Sequence, residues 1–251
     1  MARALSKLGY CSRTQAAELI HAGRVGLNGS VRRDPETPVR LEQDRIVVDG
    51  QAVDSQKKIY LMMNKQRGVV TTASDEKGRD TVYSILAGHS ASLPWLAPVG
   101  RLDKASEGLL LLTNDSEWAA RVAAPETHLP KTYHVQIDAT AADEMIQKML
   151  CGVKTEDGEL LCAKRCRLLR RGEKNCWLEV VLAEGRNRQI RRMLLALGVE
   201  VLRLVRVAIG PLRLGSLQKG TWRYLTSDEK FALDRAMAKK SAQSNLRLSC
   251  L

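Results

Sequence analysis

Pro98-Val99-Gly100-Arg101-Leu102-Asp103-Lys104-Ala105-Ser106-Glu107-Gly108-Leu109-Leu110-Leu111-Leu112-Thr113-Asn114-Asp115 sets Asp103 between two glycines, a few residues ahead of four leucines. A run this short and wholly apolar, closed by an Asn-Asp turn signal, reads as a strand buried on both faces. An Asp at the mouth of such a strand is rigid and partly desolvated, which suits a reactive carboxylate. The bland alternative is a turn Asp that hydrogen-bonds its own loop.

Upstream, Ile59-Tyr60-Leu61-Met62-Met63-Asn64-Lys65 reads as a strand, and Gly68 to Thr72 as its continuation after a turn. A charged loop spans Asp75 to Asp80, Thr81 to Leu86 is helix-compatible, and 87–98 is loop-like with Gly88, Pro94 and Pro98. Downstream, Asp115 or Ser116 caps a helix carrying Trp118, Ala119 and Val122. Thr132 to Ile137 is a strand with Tyr133, Val135 and Ile137 on one face. Thr140 caps a helix toward Leu150 that Gly152 ends, and several strands follow between Val153 and Ala183. After Glu184-Gly185-Arg186-Asn187-Arg188, a helix keeps Ile190, Met193, Leu194 and Leu197 on a core face, with Arg188, Arg191 and Arg192 on another. Leu202 to Ile209 is a strand, and Thr226 or Ser227 caps a terminal helix through Phe231 and Leu233. From about Ala238 the tail is polar and frayed.

The first 55 residues read as a separate compact unit. Leu5 and Leu8 keep one face of a short helix that Gly9 ends, and Ser12 with Gln15 has capping-box spacing for a second helix. Asn28-Gly29 and Asp49-Gly50 are hairpin turns between short apolar strands. Its charge is split: residues 1–33 carry Arg3, Lys7, Arg13, Arg24, Arg32 and Arg33 against Glu18 alone, whereas 34–54 are mainly acidic.

The whole chain has 251 residues and net charge +12. That excess points to a polyanionic partner, nucleic acid first. A second basic block, residues 164–219, holds 14 Lys and Arg against Glu173, Glu179, Glu184 and Glu200. Two separated blocks suggest two contacts on one extended anion. No apolar run is long enough to span a membrane, and no signal-peptide core opens the chain, so a cytoplasmic protein is expected. Cys11, Cys151, Cys162, Cys166, Cys176 and Cys250 form no C-x-x-C pair, so they read as reduced and structural, with no metal site. Dinucleotide, P-loop and nucleophile-elbow signatures are missing, which argues against dehydrogenases, Rossmann methyltransferases, ATPases and serine hydrolases. Aromatic residues make up only 4%, against an RRM. What remains is one Asp, one strand Tyr and an arginine-rich helix start. A nucleophilic carboxylate needs a cation to stay ionised where water is excluded, and the face bearing Arg188 and Arg191 can supply it.

Two resemblances sharpen these readings. Ala4-Leu5-Ser6-Lys7-Leu8-Gly9-Tyr10-Cys11-Ser12-Arg13, with Gly23-Arg24-Val25 and Asn28-Gly29, resembles an S4 RNA-binding domain. Gly100-Arg101-Leu102-Asp103 through Thr113-Asn114-Asp115, Lys131-Thr132-Tyr133-His134-Val135, and Glu184 to Met193 with Arg206-Val207-Ala208-Ile209-Gly210-Pro211-Leu212 resemble the motifs of RNA pseudouridine synthases of the RsuA/RluB type. Ser106 stands where that family commonly has Thr, keeping the hydroxyl, and Ser116 where it often has Gly.

The resemblance implies an α+β protein. A small α/β S4-like domain (residues 1–55) precedes a catalytic domain (59–237) built on a mixed, mainly antiparallel sheet flanked by helices, and a polar tail (238–251) closes the chain. It implies isomerisation of a specific, flipped-out uridine in ribosomal RNA, with no cofactor or metal. Asp103 would be the nucleophile, Tyr133 the proton-transfer residue against the base, and Arg191 the partner of Asp103. Lys7, Arg13, Arg24, Arg101, Arg186, Arg188 and Arg192 would hold RNA. The partner would be ribosomal RNA or a ribosomal subunit assembly intermediate, met by a monomer. A non-catalytic S4-type ribosomal RNA-binding protein is the competing reading; such a binder has no need of the Asp103, Tyr133 and Arg191 set.

Overall fold

The structure, a computed structural model, describes residues 1–72, 75, 77–87, 93–140 and 143–248, with side chains through 238. Helices α1 (Ala2–Lys7) and α2 (Arg13–His21) lead into strands β1 (Val25–Leu27), β2 (Ser30–Val31), β3 (Ile46–Val48) and β4 (Gln51–Ala52). The capping box expected of Ser12 and Gln15 is complete, with both reciprocal bonds at 3.1 Å. Asn28-Gly29 and Asp49-Gly50 all have positive φ, which a two-residue turn of this hand requires. The sheet order is β2-β1-β3-β4, and Leu5, Ala16, Ile20 and Val25 are fully buried between it and the two helices.

A larger sheet follows. Its strands are β5 (Tyr60–Lys65), β6 (Ala97–Val99), β7 (Glu107–Thr113), β8 (Lys131–Ile137), β11 (Arg165–Arg171), β12 (Cys176–Leu182), β13 (Val201–Ile209), β14 (Leu212–Arg213) and β15 (Trp222–Tyr224). The order runs β11-β12-β8-β13-β7-β5-β15, with β14 on β13 and β6 on β7. Every pairing between these strands is antiparallel except β7 with β13. A small hairpin of β9 (Val153–Lys154) and β10 (Leu160–Leu161) stands beside it. Helices α3 (Val82–Ala87), α4 (Ser116–Ala123), α5 (Asp143–Cys151), α6 (Gln189–Ala196) and α7 (Ser227–Leu248) cover the sheet.

The four-leucine run is β7, and both its faces are buried. Leu109 and Leu111 pack with Met62, Trp118 and Leu233, whereas Leu110 and Leu112 pack with Leu61, Met63 and Val82. All four leucines are fully buried, each contributing about 1.5–3 kcal/mol of apolar transfer. This core holds the loop before β7 in place.

Three local expectations differ. Residues 68–72 do not extend β5. Gly68 turns away at φ +95° and donates to Lys104 O at 2.8 Å, and Val70 makes only a single bridge to Thr81. Within the expected loop 87–98, Ala97–Val99 is an edge strand on β7, where Pro98 needs no donor on its outer side. Helix α7 runs on to Leu248, beyond the point where a frayed tail is predicted. The Thr140 cap leads into residues 141–142, and Cys250 stands in the last three residues; both lie outside the described residues. The five described cysteines are free thiols.

Candidate active site

The parallel register of β7 and β13 builds the site. Gly108 pairs with Arg206 at φ +103°, and a Cβ there would stand 2.3 Å from Arg206 O. Only glycine lets the two backbones approach this closely. Arg206 pairs in turn with Tyr133 on β8. Three neighbouring strands thus bring the loop 100–106, Arg206 and Tyr133 to one cavity of about 440 Å³.

The loop is fastened from below. Lys65, at the end of β5 and fully buried, donates to Gln66 O (3.1 Å), Asp103 O (3.1 Å) and Ser106 O (2.8 Å). Ser106 N also donates to Asp103 O at 2.9 Å, and Thr71 Oγ1 donates to Leu102 O at 2.8 Å. Burial pushes the Lys65 ammonium down to about 8, against the pull of Asp103 and Glu107. Glu107, the next residue but one after Ala105, is buried and held at about 2 by hydrogen bonds from Arg203 first and Lys219 second. The backbone around Asp103 is therefore fixed on both sides while its carboxylate is exposed to solvent.

That exposure corrects the expectation of a partly desolvated Asp103: loop 100–104 forms the rim of the cavity, and no element among the described residues covers Asp103. Tyr133 is half-buried on the wall, and Arg101, Arg186 and Arg188 also line the cavity. Arg191 stands behind the loop. Its guanidinium donates to Ala105 O (3.1 Å) and Val201 O (3.4 Å), and makes no direct ion pair with Asp103 among the described residues. Burial lowers its ionisation first and Arg188 second, while the charge of Asp103 opposes both. The expected partnership is thus electrostatic through the loop, because the carbonyl of Ala105 takes the guanidinium donor.

The arginines proposed for RNA divide into two groups. Arg192 donates to Asp157 (2.6 Å) and Glu159 (2.6 Å) on the β9–β10 hairpin, and Arg186 pairs with Glu159 and Glu184. These pairs pin α6 to the hairpin, and Arg192 turns away from the cavity it was expected to serve. Lys7 pairs with Glu117 and Arg24 with Asp49. Arg13, Arg101 and Arg188 are in no ion pair among the described residues. Arg188 has φ +48° at the start of α6, an uncommon conformation for a long side chain, and it lines the same cavity as Asp103 and Tyr133.

Sequence reasoning missed Lys65, which reads only as the polar end of a strand, and placed Arg206 in the third motif without giving it a role. Arg206 is 5% exposed, donates through Nε to Leu109 O at 2.7 Å, and lines the cavity. Four buried side-chain polar atoms have no partner among the described residues, and three belong to this site: Ser106 Oγ, Arg191 Nε and Arg206 Nη2. Buried donors left this way are rare in folded proteins and favour a ligand that accepts hydrogen bonds. Among the described residues no group of three or more His, Cys, Asp or Glu is placed to hold a metal ion, and no helix is long and apolar enough to cross a membrane.

This sheet, with an acid on a rim beside a tyrosine and a half-buried arginine, defines a class that comparison with known proteins identifies. Residues 59–196 match the RNA pseudouridylate synthase family, and residues 2–46 match the S4 domain. An uncharacterized RNA pseudouridine synthase of Aquifex aeolicus is 38% identical over 238 residues, 94% of each chain. The ribosomal large subunit pseudouridine synthase B of Bacillus subtilis is 36% identical over 94% of this chain and 95% of its own. A crystal structure of a pseudouridylate synthase superposes with TM-score 0.63 at 29% identity, covering 92% of this chain and 98% of the other. The chain belongs to the RNA pseudouridine synthases and carries an S4 domain at its N-terminus.

Proposed function

We propose that this enzyme converts a specific uridine of ribosomal RNA to pseudouridine, with Asp103 as the nucleophile acting on a flipped-out base. A base stacked in a duplex is out of reach of a side chain on a cavity rim, so the uridine must leave its helix. The C–N glycosidic bond is exchanged for a C–C bond within one nucleotide. The exchange is redox-neutral and needs no cofactor. Tyr133 lies against the base and relays protons there: C5 loses one as the new bond forms, and N1, freed from the sugar, gains one. Arg191 keeps Asp103 ionised once RNA covers the rim and water leaves, since its attraction grows as the local dielectric falls. Arg101 and Arg188 hold the flanking phosphates; Arg186 contributes after releasing a carboxylate.

The observation that carries this reading is the joint placement of Asp103, Tyr133 and the unpartnered donors Ser106 Oγ and Arg206 Nη2 around one open cavity. Ribosomal RNA as substrate is supported by the similarity to the ribosomal large subunit pseudouridine synthase B of Bacillus subtilis and by the S4 match. Residues 1–55, with Lys7, Arg13 and Arg24, dock the RNA, and residues 59–237 carry the chemistry. The enzyme works as a monomer and meets ribosomal RNA or an assembling subunit in the cytoplasm. Asp103→Asn tests it: isomerisation is lost while folding and RNA affinity persist. Full activity in that variant would end the proposal.

A further inference from the structure

A second cleft, of about 510 Å³, opens between the two units, and the catalytic motifs do not use it. Its lining comes from the first unit, including Tyr10, Gln15, Glu18, Leu19 and Arg24, and from a single residue of the second, Trp95. Its volume is within the range of roughly 300–1,000 Å³ typical of small-ligand sites. The chain is poor in aromatics, at 4%, yet two of them meet here.

Both rings are held by backbone that is itself anchored. Tyr10 follows Gly9, whose positive φ ends α1, and Tyr10 N donates to Leu5 O at 3.1 Å. The ring stays 39% exposed, although Leu5, whose carbonyl its backbone bonds, is fully buried. Trp95 precedes Leu96, which is 2% exposed and whose carbonyl accepts from Tyr83 Oη at 2.7 Å. The junction between the units is also bonded. Asn114 accepts from Ile59 N (2.8 Å) and donates to Lys57 O (2.9 Å), Lys7 pairs with Glu117 at 2.6 Å, and Gln56 N donates to Leu8 O at 3.2 Å. The cleft therefore has a defined shape in the free chain.

We propose that this cleft receives an unpaired nucleobase of the RNA, stacked on Tyr10 and Trp95, at a site separate from the one that isomerises uridine. The inference rests on the reading above only in taking RNA as the ligand. Aromatic faces stack on any base, and Arg24, which lines the cleft and pairs with Asp49, can turn to the adjoining phosphate once that carboxylate is released. Glu18 only accepts hydrogen bonds and so suits a base edge that donates. The net charge of +12 and the basic first 33 residues give the cleft a surround that draws a polyanion. The β6 strand joins Trp95 to Gly100 on the catalytic rim, a span of roughly 15 Å at about 3.3 Å per residue. One RNA strand can thus occupy both cavities, which would set which uridine reaches Asp103.

The test measures binding of a 12-nucleotide single-stranded oligo(A) and a blunt 12-base-pair RNA duplex to the full chain, at several salt concentrations. Tyr10→Ala and Trp95→Leu each weaken oligo(A) binding about 10- to 100-fold with an unchanged salt slope, because stacking releases no counterions. Trp95→Phe and Tyr10→Phe restore binding to within about threefold, which a merely structural role of these side chains would not distinguish from leucine of similar bulk. Duplex affinity stays unchanged in all four variants. Equal oligo(A) affinity for Trp95→Leu and wild type, or an equal loss of duplex binding, overturns the proposal and leaves the cleft to a protein partner or to packing. Pseudouridine formation in ribosomal RNA is scored separately. Its absence in the wild-type enzyme with stacking intact would refute the reading of the catalytic cavity and not this one.

Discussion

Lys65→Met removes the charge beneath the Asp103 loop and keeps the length of the side chain. Lys65 is fully buried and donates to three carbonyls, those of Gln66, Asp103 and Ser106. Asp103 O retains Ser106 N as a donor, so two acceptors lose their partner. A buried acceptor without a donor costs about 1–3 kcal/mol, near 3 kcal/mol for the two together, and the loss shows in full above pH 10.5, where the wild-type fold no longer carries the cost of a buried charge. For a chain of this size that lowers the melting temperature by roughly 6–12 °C, read by circular dichroism. The pH dependence gives an independent check. Lys65 titrates near 8 in the fold, against 10.5 for the free side chain. Between those values the unfolded chain binds the proton and the folded one releases it, so the wild-type fold gains stability as pH rises through this window. The gain is about 3 kcal/mol in all, and Lys65→Met lacks it. In activity assays on ribosomal RNA the variant loses turnover more than affinity, because the loop that carries Asp103 is unsupported. A variant with wild-type melting temperature, wild-type pH dependence and full turnover would refute the role assigned to Lys65.

Gly108→Ala puts a methyl against Arg206 O and strains a residue at φ +103°, at a combined cost of about 3–5 kcal/mol; thermal unfolding reads it, and a stability within 1 kcal/mol of wild type would contradict the packing argument. Arg188→Gln and Arg192→Gln are expected to diverge. The first lowers the slope of log affinity against log salt by about 0.7–0.9, whereas the second leaves the slope alone and speeds amide exchange in the β9–β10 hairpin that Arg192 holds. Equal slopes for both variants would contradict the division of the arginines.

Much of this architecture is legible in local sequence because local physics determines it. The Ser12–Gln15 box, the Asn28-Gly29 and Asp49-Gly50 turns and the apolar face of α6 each depend on residues within a few positions of one another. The four leucines announce a strand buried on both sides because no half-exposed strand tolerates such a run. The site is less legible, since its chemistry depends on long-range neighbours. Nothing near Lys65 in the chain shows that a loop some forty residues later will close over it. Arg206 stands in a motif, but its role shows only when the parallel register with Gly108 buries it against the cavity. Arg192 looks free for phosphate until the β9–β10 hairpin brings Asp157 and Glu159 to it. The openness of Asp103 follows from its place on the rim formed by loop 100–104, which no motif encodes.

The central claim is that Asp103 turns a uridine of ribosomal RNA into pseudouridine. Pseudouridine mapping of ribosomal RNA tests it most directly, in cells with the gene, without it, and without it but supplied with the Asp103→Asn chain. The account predicts one modified position that disappears with the gene, returns with the wild-type chain and stays absent with Asp103→Asn. An identical map in all cells, or restoration of the position by Asp103→Asn, would contradict it.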